Sequence, residues 1–352
     1  MTLQPETHLL EAWHEAKRKD PAARSRDIAD QFGVTEGLLA ETRVGHGIVR
    51  LACQGECFID VLKALQGIGP VMTLTRNDAA VHETTGPIGE IAHHGSMGQT
   101  LGAIDLRLFL RHWHAGYLVS EETRSGLRHS VQVFDATGIA VIKVYATGDT
   151  DMTSWDRALA PFIGEDELQA VFSPIVRSKP DCPDVQVDRD ALRSDWQALE
   201  HSHDFHKLLR THGVGRQQAL RLAGDDLACP VEREAVHRML DGAAATGVPI
   251  MCFVGSAGCI QIFSGPIETI KQMGPWLNIL DPGFNLHLRS DRVAQAWAVR
   301  KPTRLRGTIT SLELFDVTGD LVCQFFGSRP PGEGERESWR EVVDTAISGA
   351  GK

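Results

Sequence analysis

Three histidines fall within six residues, His201, His203 and His206, and His212 follows closely. A neutral imidazole is both a metal ligand and a base near neutral pH. Three so close together, with Arg210 and Arg216 beyond them, point to a ligand site more strongly than a lone histidine would. If this stretch is helical, Phe205, Leu208 and Leu209 share an apolar face. His203 and His206 then stand one turn apart and can serve one patch. Zinc is the generic guess for such a cluster. A catalytic zinc site takes a third protein ligand and an open position, however, and no HExxH motif occurs. Haem asks for less: one axial histidine, an apolar slot, and cations for two propionates.

A second group lies at Arg107, Phe109 and Arg111-His112-Trp113-His114. Along a strand IDLRLF, side chains repeat with period two, so Arg107 and Phe109 share a face. A cation beside a ring can roof a flat apolar ligand. A half-buried strand with an exposed arginine has the same pattern, and spacing alone favours that reading. No phosphate-binding GxGxxG or GxxxxGK[ST] and no GxSxG elbow is present. Residues 24–43 read as a helix-turn-helix, with Thr35 able to cap the second helix. That helix, TEGLLAETR, would face phosphates with net negative charge, which opposes DNA binding. A helical hairpin packed on a sheet is the better reading.

The elements that must position these residues come in two sets. GPIGEI at 86–91 resembles GPIETI at 265–270, and IDLRLFL at 104–110 resembles FNLHLRS at 284–290. SVQVFDATGI at 130–139 resembles SLELFDVTGD at 311–320. Matches in order at a near-constant offset indicate an internal duplication of about half the chain, far too long a period for a solenoid. Asp135 and Gly138 match Asp316 and Gly319, as a hairpin in each half requires. Each half opens with helices, LLEAWHEAKRK to TEGLLAETR in the first, and ALRSDWQALEHSHDFHKLLRTHG then RQQALRLAG in the second. Short alternating runs follow, and ESWREVVDTAI reads as a closing helix. The predicted class is α+β: two tandem similar halves, each a large antiparallel sheet with helices at its start and end. The expected division is 1–165 and 185–352, with a linker at 166–184 rich in proline and mixed charge.

Composition sets limits on function. At roughly 150 residues per domain, 352 residues suggest about two domains. Lys plus Arg is 36 and Asp plus Glu 46, a formal net charge of −10, a poor generic polyanion binder. Seven cysteines without a CxxC pair argue against a disulfide framework and for reduced thiols. No apolar signal core opens the chain, and no run reaches the roughly 18 apolar residues of a membrane span. The expected location is therefore cytoplasmic, without membrane insertion. Fifteen histidines beside only two tyrosines is the remaining oddity.

Several long stretches carry a resemblance. They are TRNDAAVHE at 75–83, IDLRLFLRHWHAGYLV at 104–119, KVYATGDTDM at 143–152 and HDFHKLLRTHGVGRQQALRLAGDDLACPV at 203–231. AWAVRKPT at 296–303 and TSLELFDVTGDLVCQFFGSR at 310–329 add to them. Through these the chain resembles, over nearly its whole length, the bacterial cytoplasmic haemin-transport and haemin-degrading factors (HemS/HmuS/ChuS-like proteins). The resemblance implies a duplicated fold and a haem-binding function in iron acquisition, with haem b held by His203 as axial ligand. His206 is the alternate ligand, with His201 behind it. It places Arg107 and Phe109 on the opposite haem face, and Arg216, Lys301, Gln324 and Arg329 on the propionate side. Where some relatives carry tyrosines there, this chain has Cys323 and Phe326, so propionate anchoring should lean on the cations. The partners implied are haem and a haem oxygenase or importer, not nucleic acid. The favoured function is a carrier that delivers haem for iron release. The alternative is an oxygenase-like degrader in which Arg107 acts on the distal side. A DNA-binding regulator using 24–43 and a zinc hydrolase are the distant readings.

Overall fold

A computed structural model describes residues 5–123, 126–164, 169–175, 181–330 and 332–349. Residues 166–168 and 176–180 of the expected linker lie outside the described residues, as do residues 1–4 and 350–352 at the ends of the expected halves. The chain divides into two compact units. One comprises Met1–Arg76, His82–Val176 and Gly255–Gln261; the other comprises Asn77–Val81, Arg177–Val254 and Ile262–Lys352. The described strands form two nine-stranded antiparallel sheets, and the architecture is α+β as expected.

The duplication is visible strand by strand. In the first unit a six-strand row runs Ile48–Arg50, Ala115–Thr123, Gly126–Phe134, Ala140–Ala146, Val71–Arg76, Ala80–Gly86. The same unit also contains a three-strand ribbon of Asp105–Phe109, Met97–Leu101 and Glu90–His94, which is not a continuation of that row. The second unit repeats the row as Ala228–Val231, Gln295–Thr303, Gly307–Phe315, Leu321–Gly327, Ile250–Gly255, Cys259–Gly265. Its ribbon is Phe284–Arg289, Trp276–Asp281 and Ile270–Met273. The matched hairpins agree down to the turn. Asp135 Oδ1 accepts the Thr137 and Ile139 amides at 2.8 and 3.0 Å, and Asp316 Oδ1 accepts those of Thr318 and Asp320 at 2.8 and 3.0 Å. Gly138 and Gly319 supply the left-handed residue, at φ +81° and +88°. Each hairpin also carries a register shift at the same place, Val133/Phe134 and Leu314/Phe315.

In the second unit two apolar layers form. Met239, Leu240, Trp339 and Val343, from helices Glu234–Thr246 and Glu337–Ser348, pack with Cys252, Val254, Cys323 and Phe325. Trp196, Phe205, Leu208, Ala219 and Leu220 pack with Trp297, Val299 and Phe315. This second layer is the floor beneath the histidine cluster. Full burial of each such large apolar side chain contributes roughly 1.5–3 kcal/mol.

The helix-turn-helix look-alike is a hairpin sealed onto the sheet. Helices Ser25–Gln31 and Glu36–Thr42 form, and Thr35 Oγ1 caps the second by accepting the Leu38 amide at 3.4 Å. That helix buries Glu36, Gly37, Leu39, Ala40 and Glu41, so it has no polar face left for a DNA groove. Glu36 is held by Lys143 and Arg76, and Glu41 by Arg50 and the Tyr117 hydroxyl.

Two expectations need correction. The stretch 191–213 is not one helix. It breaks into Arg189–Gln197, a 3-10 turn Ser202–Asp204, and Phe205–His212. The reason is a reciprocal contact: the Asp204 amide donates to the His201 carbonyl at 3.0 Å, while Asp204 Oδ2 accepts the His201 amide at 2.9 Å. The thiols are also not all free. Cys53 and Cys57 are disulfide-paired across a 3-10 turn, while Cys182, Cys229, Cys252, Cys259 and Cys323 are free.

Candidate functional site

The helix Phe205–His212 is fixed from below. Phe205 is 1% exposed and meets the Trp196 ring edge-on at 4.5 Å, and Leu208 is buried beside it. This orientation turns His206 to the exposed side, and His203, in the preceding 3-10 turn, is exposed as well. His201 is half-buried, and its backbone is tied to the turn through Asp204. His212 points away, with Nε2 2.9 Å from Asp195 Oδ2. The helix ends on Gly213 at φ +61°, and the chain turns through Val214 and Gly215 into the helix Arg216–Ala223. A Cβ on Gly215 would overlap the Asp181 carboxylate, so glycine lets this turn close. Gln218 Nε2 fastens the same turn by donating to the Cys182 carbonyl at 2.6 Å and to Asp184 Oδ1 at 2.9 Å.

Arg216, first in its helix, reaches the sheet. Its Nε and Nη2 donate to the two oxygens of Glu313 at 2.7 and 2.8 Å. Lys301 Nζ donates to Glu313 Oε1 at 2.8 Å, as does Ser311 Oγ at 2.9 Å. Two cations share one carboxylate, so the trio carries net charge +1 − 1 + 1 = +1. Its surroundings are aromatic. Arg216 and Lys301 lie 5.0 and 4.9 Å from the Phe205 ring centre, and Lys301 lies 5.6 Å from that of Phe326. Phe326 in turn meets Phe253 at 5.2 Å.

The electrostatics follow from this packing. Burial alone would push the Glu313 carboxyl up, but Arg216 and Lys301 overcome it and hold the group well below the carboxylate range. Burial lowers the Lys301 pKa, and Glu313 opposes that fall. The His206 imidazole is lowered by partial burial first, then by Arg216, Lys301 and Arg210, with Glu313 opposing. Its neutral form, the form in which an imidazole can act as a metal ligand, is therefore favoured.

Gln324 and Phe326 sit on the same face of the strand Leu321–Gly327, with Gln324 opposite Glu313 in the ladder. Cys323 does not join them. It points the other way into the apolar layer and is 1% exposed, so it is no counterpart of a tyrosine hydroxyl. Arg329 is half-buried where the same strand ends, 3.5 Å from the Gly327 carbonyl. Lys301 is 2% exposed and faces its carboxylate rather than solvent. Arg107 and Phe109 belong to the first unit. The burial pattern of Asp105–Phe109 alternates, with Leu106 and Leu108 buried, so the two do share the more open face. Arg107 pairs with Asp105 and donates to the Leu106 carbonyl at 3.1 Å. Among the described residues no three His, Cys, Asp or Glu side chains gather closely enough to hold a metal ion.

The donor set suits a flat, dianionic, apolar ligand. The exposed His206 imidazole stands beside a net cationic trio over an aromatic floor. The comparisons agree. A family model described as the haemin-degrading HemS.ChuX domain matches residues 33–162 and again 213–346. The chain belongs to this family. Its two matched segments coincide with the two copies of the repeat. Hemin transport protein HmuS of Yersinia pestis is 38% identical over 342 residues, 97% of each chain. Among solved structures, holo-PhuS, a heme-binding protein from Pseudomonas aeruginosa, is 40% identical with a TM-score of 0.92, over 97% of this chain and 99% of that one. ChuS, an Escherichia coli heme oxygenase, is 38% identical with a TM-score of 0.86, over 97% and 99%.

Sequence reasoning found the histidines and cations but missed Glu313, which organises them. In SLELFD the glutamate occupies an alternating position that reads as a solvated strand face. The signal lay in the duplication: the matching residue of the first half is Gln132, so the charge is peculiar to the second half.

Proposed function

We propose that this protein binds haem b in the cytoplasm, receives it after import, and delivers it for iron release. The observation that carries this reading is the exposed His206 imidazole beside the cationic trio, with the exposed His203 in the turn that leads into its helix. His203 is the axial ligand in this reading and His206 the alternate. Both start the same short helical segment, so a ligand could pass between them without unfolding the floor beneath. Arg216, with Gln324 opposite its partner Glu313, serves the propionate end, Phe326 lends apolar surface, and the place of Arg329 at that end rests on the family resemblance. The assignment of Arg107 and Phe109 to the opposite haem face rests on the family resemblance. A haem importer and a haem oxygenase are the proposed donor and acceptor. Among the described residues no helix is long and apolar enough to cross a membrane.

A second reading is favoured by the matched domain description and by the oxygenase among its relatives. Bound haem supplies a redox-active iron, and Arg107 would then act as a distal hydrogen-bond donor. One experiment separates the two. The haem complex is mixed with NADPH and a reductase, or with ascorbate, in the presence of catalase. A carrier keeps its Soret band under catalase and gives haem up to an acceptor. A degrader loses the band and yields a defined tetrapyrrole product. A chain that takes up no haemin at all overturns both.

A further inference from the structure

The position of Glu313 has a consequence for how the ligand's carboxylates are recognised. A guanidinium has five N–H donors in a planar fork. Glu313 takes one from Nε and one from Nη2 of Arg216, which leaves the other edge, including both N–H groups of Nη1, unclaimed by this carboxylate. The trio is graded in exposure: the side chains of Glu313 and Lys301 are 0% and 3% exposed, that of Arg216 14%. Of the three, Arg216 is the most exposed. A bidentate pairing on one edge also fixes the plane of the guanidinium, because the two bonds cannot both persist if it rotates.

We propose that Glu313 is a positioning residue that clamps the inner edge of Arg216 so that its outer edge receives a ligand carboxylate, while Lys301 keeps the trio cationic. This rests on the haem-binding reading and names the part of the site that recognises the propionates. Without Lys301, the pair Arg216–Glu313 would be neutral and would offer an incoming carboxylate no net attraction. Without Glu313, Arg216 would keep its charge but lose its fixed direction, and two buried cations would repel each other. The carboxylate is thus an internal template for the one that arrives.

The test compares haemin with haem dimethyl ester, whose propionates are blocked, by titrating each into the full chain. The wild type should prefer haemin by about tenfold, the scale of one charge-assisted hydrogen bond. Glu313→Gln should lose most of that preference while binding the ester as the wild type does. A merely structural defect would weaken both ligands together. Glu313→Asp retains the charge but is one methylene too short to span both cations; it too should lose the preference, and it keeps the question open to measurement if Glu313→Gln does not fold. The double variant Glu313→Gln/Lys301→Met restores the trio's net charge without restoring the clamp, and should stay as poor as Glu313→Gln. If Glu313→Gln keeps or increases the preference, or if the double variant recovers it, Glu313 acts through charge alone and the positioning role is refuted. A wild type that binds both ligands equally well refutes carboxylate recognition through Arg216 and leaves haem binding standing. A wild type that binds neither refutes the haem-binding reading itself.

Discussion

Acid should weaken the first unit through one carboxylate above others, Glu36. Burial pushes its carboxyl up, but Lys143 and Arg76, by charge and hydrogen bonds, hold it down at about 2 against an ordinary 4.5. A fall of about 2.5 units at ~1.4 kcal/mol each corresponds to about 3 kcal/mol of stability. The folded value is depressed, so this stability is present in full above pH 4.5 and is lost as pH falls toward 2. The perturbation is Glu36→Gln, and the assay is urea unfolding at pH values from 7 to 3, followed by far-ultraviolet circular dichroism. At neutral pH the variant should unfold at lower urea, because removing one partner leaves two buried cations uncompensated. As pH falls to 3 the wild type should approach the variant, and the gap should narrow by about 2 kcal/mol, the remainder being lost only below pH 2. Other carboxylates titrate in both proteins and cancel in the difference. A gap that stays constant from pH 7 to 3 would refute the claim that the ionised Glu36 locks this helix to the sheet.

Other predictions can be checked more quickly. Thiol titration of denatured protein should count five free cysteines without reductant and seven with it, since Cys53 and Cys57 are paired. Gly37→Ala should cost about 1–3 kcal/mol, measured by thermal melting, because an added Cβ would lie 2.7 Å from the Gly138 backbone. Unchanged stability would mean that the hairpin is not sealed on the sheet. Trp339→Ala, which empties a fully buried site in the second unit, should cost about 3–5 kcal/mol by urea unfolding.

What could be read from the sequence follows the kind of signal each feature leaves. The hairpins at 130–139 and 311–320 were legible because Asp135, Gly138, Asp316 and Gly319 do local work: a side chain caps its own turn and a glycine takes the left-handed position. The shared face of Arg107 and Phe109 was legible from period two alone. The break at 198–204 was not, because apolar periodicity runs through it from Leu192 to Leu208. Only the reciprocal contact of His201 with Asp204 ends one segment and starts the next. The Glu36 and Glu313 trios were hidden for a different reason. Their members are separated by 107 residues for Glu36–Lys143 and 97 for Arg216–Glu313, and no local rule pairs charges at such distances. Each cation alone reads as a solvated surface group. Cys323 shows the converse, a residue next to the site in sequence but turned into the core by strand alternation.

The central claim is that His203 holds the iron, and the absorption spectrum of the haem complex tests it most directly. The wild type, His203→Ala and His206→Ala are each titrated with haemin and compared at the Soret band. His203→Ala should show a shifted band and weaker binding, and His206→Ala a smaller change. A His203→Ala complex with the wild-type band position and affinity would contradict it.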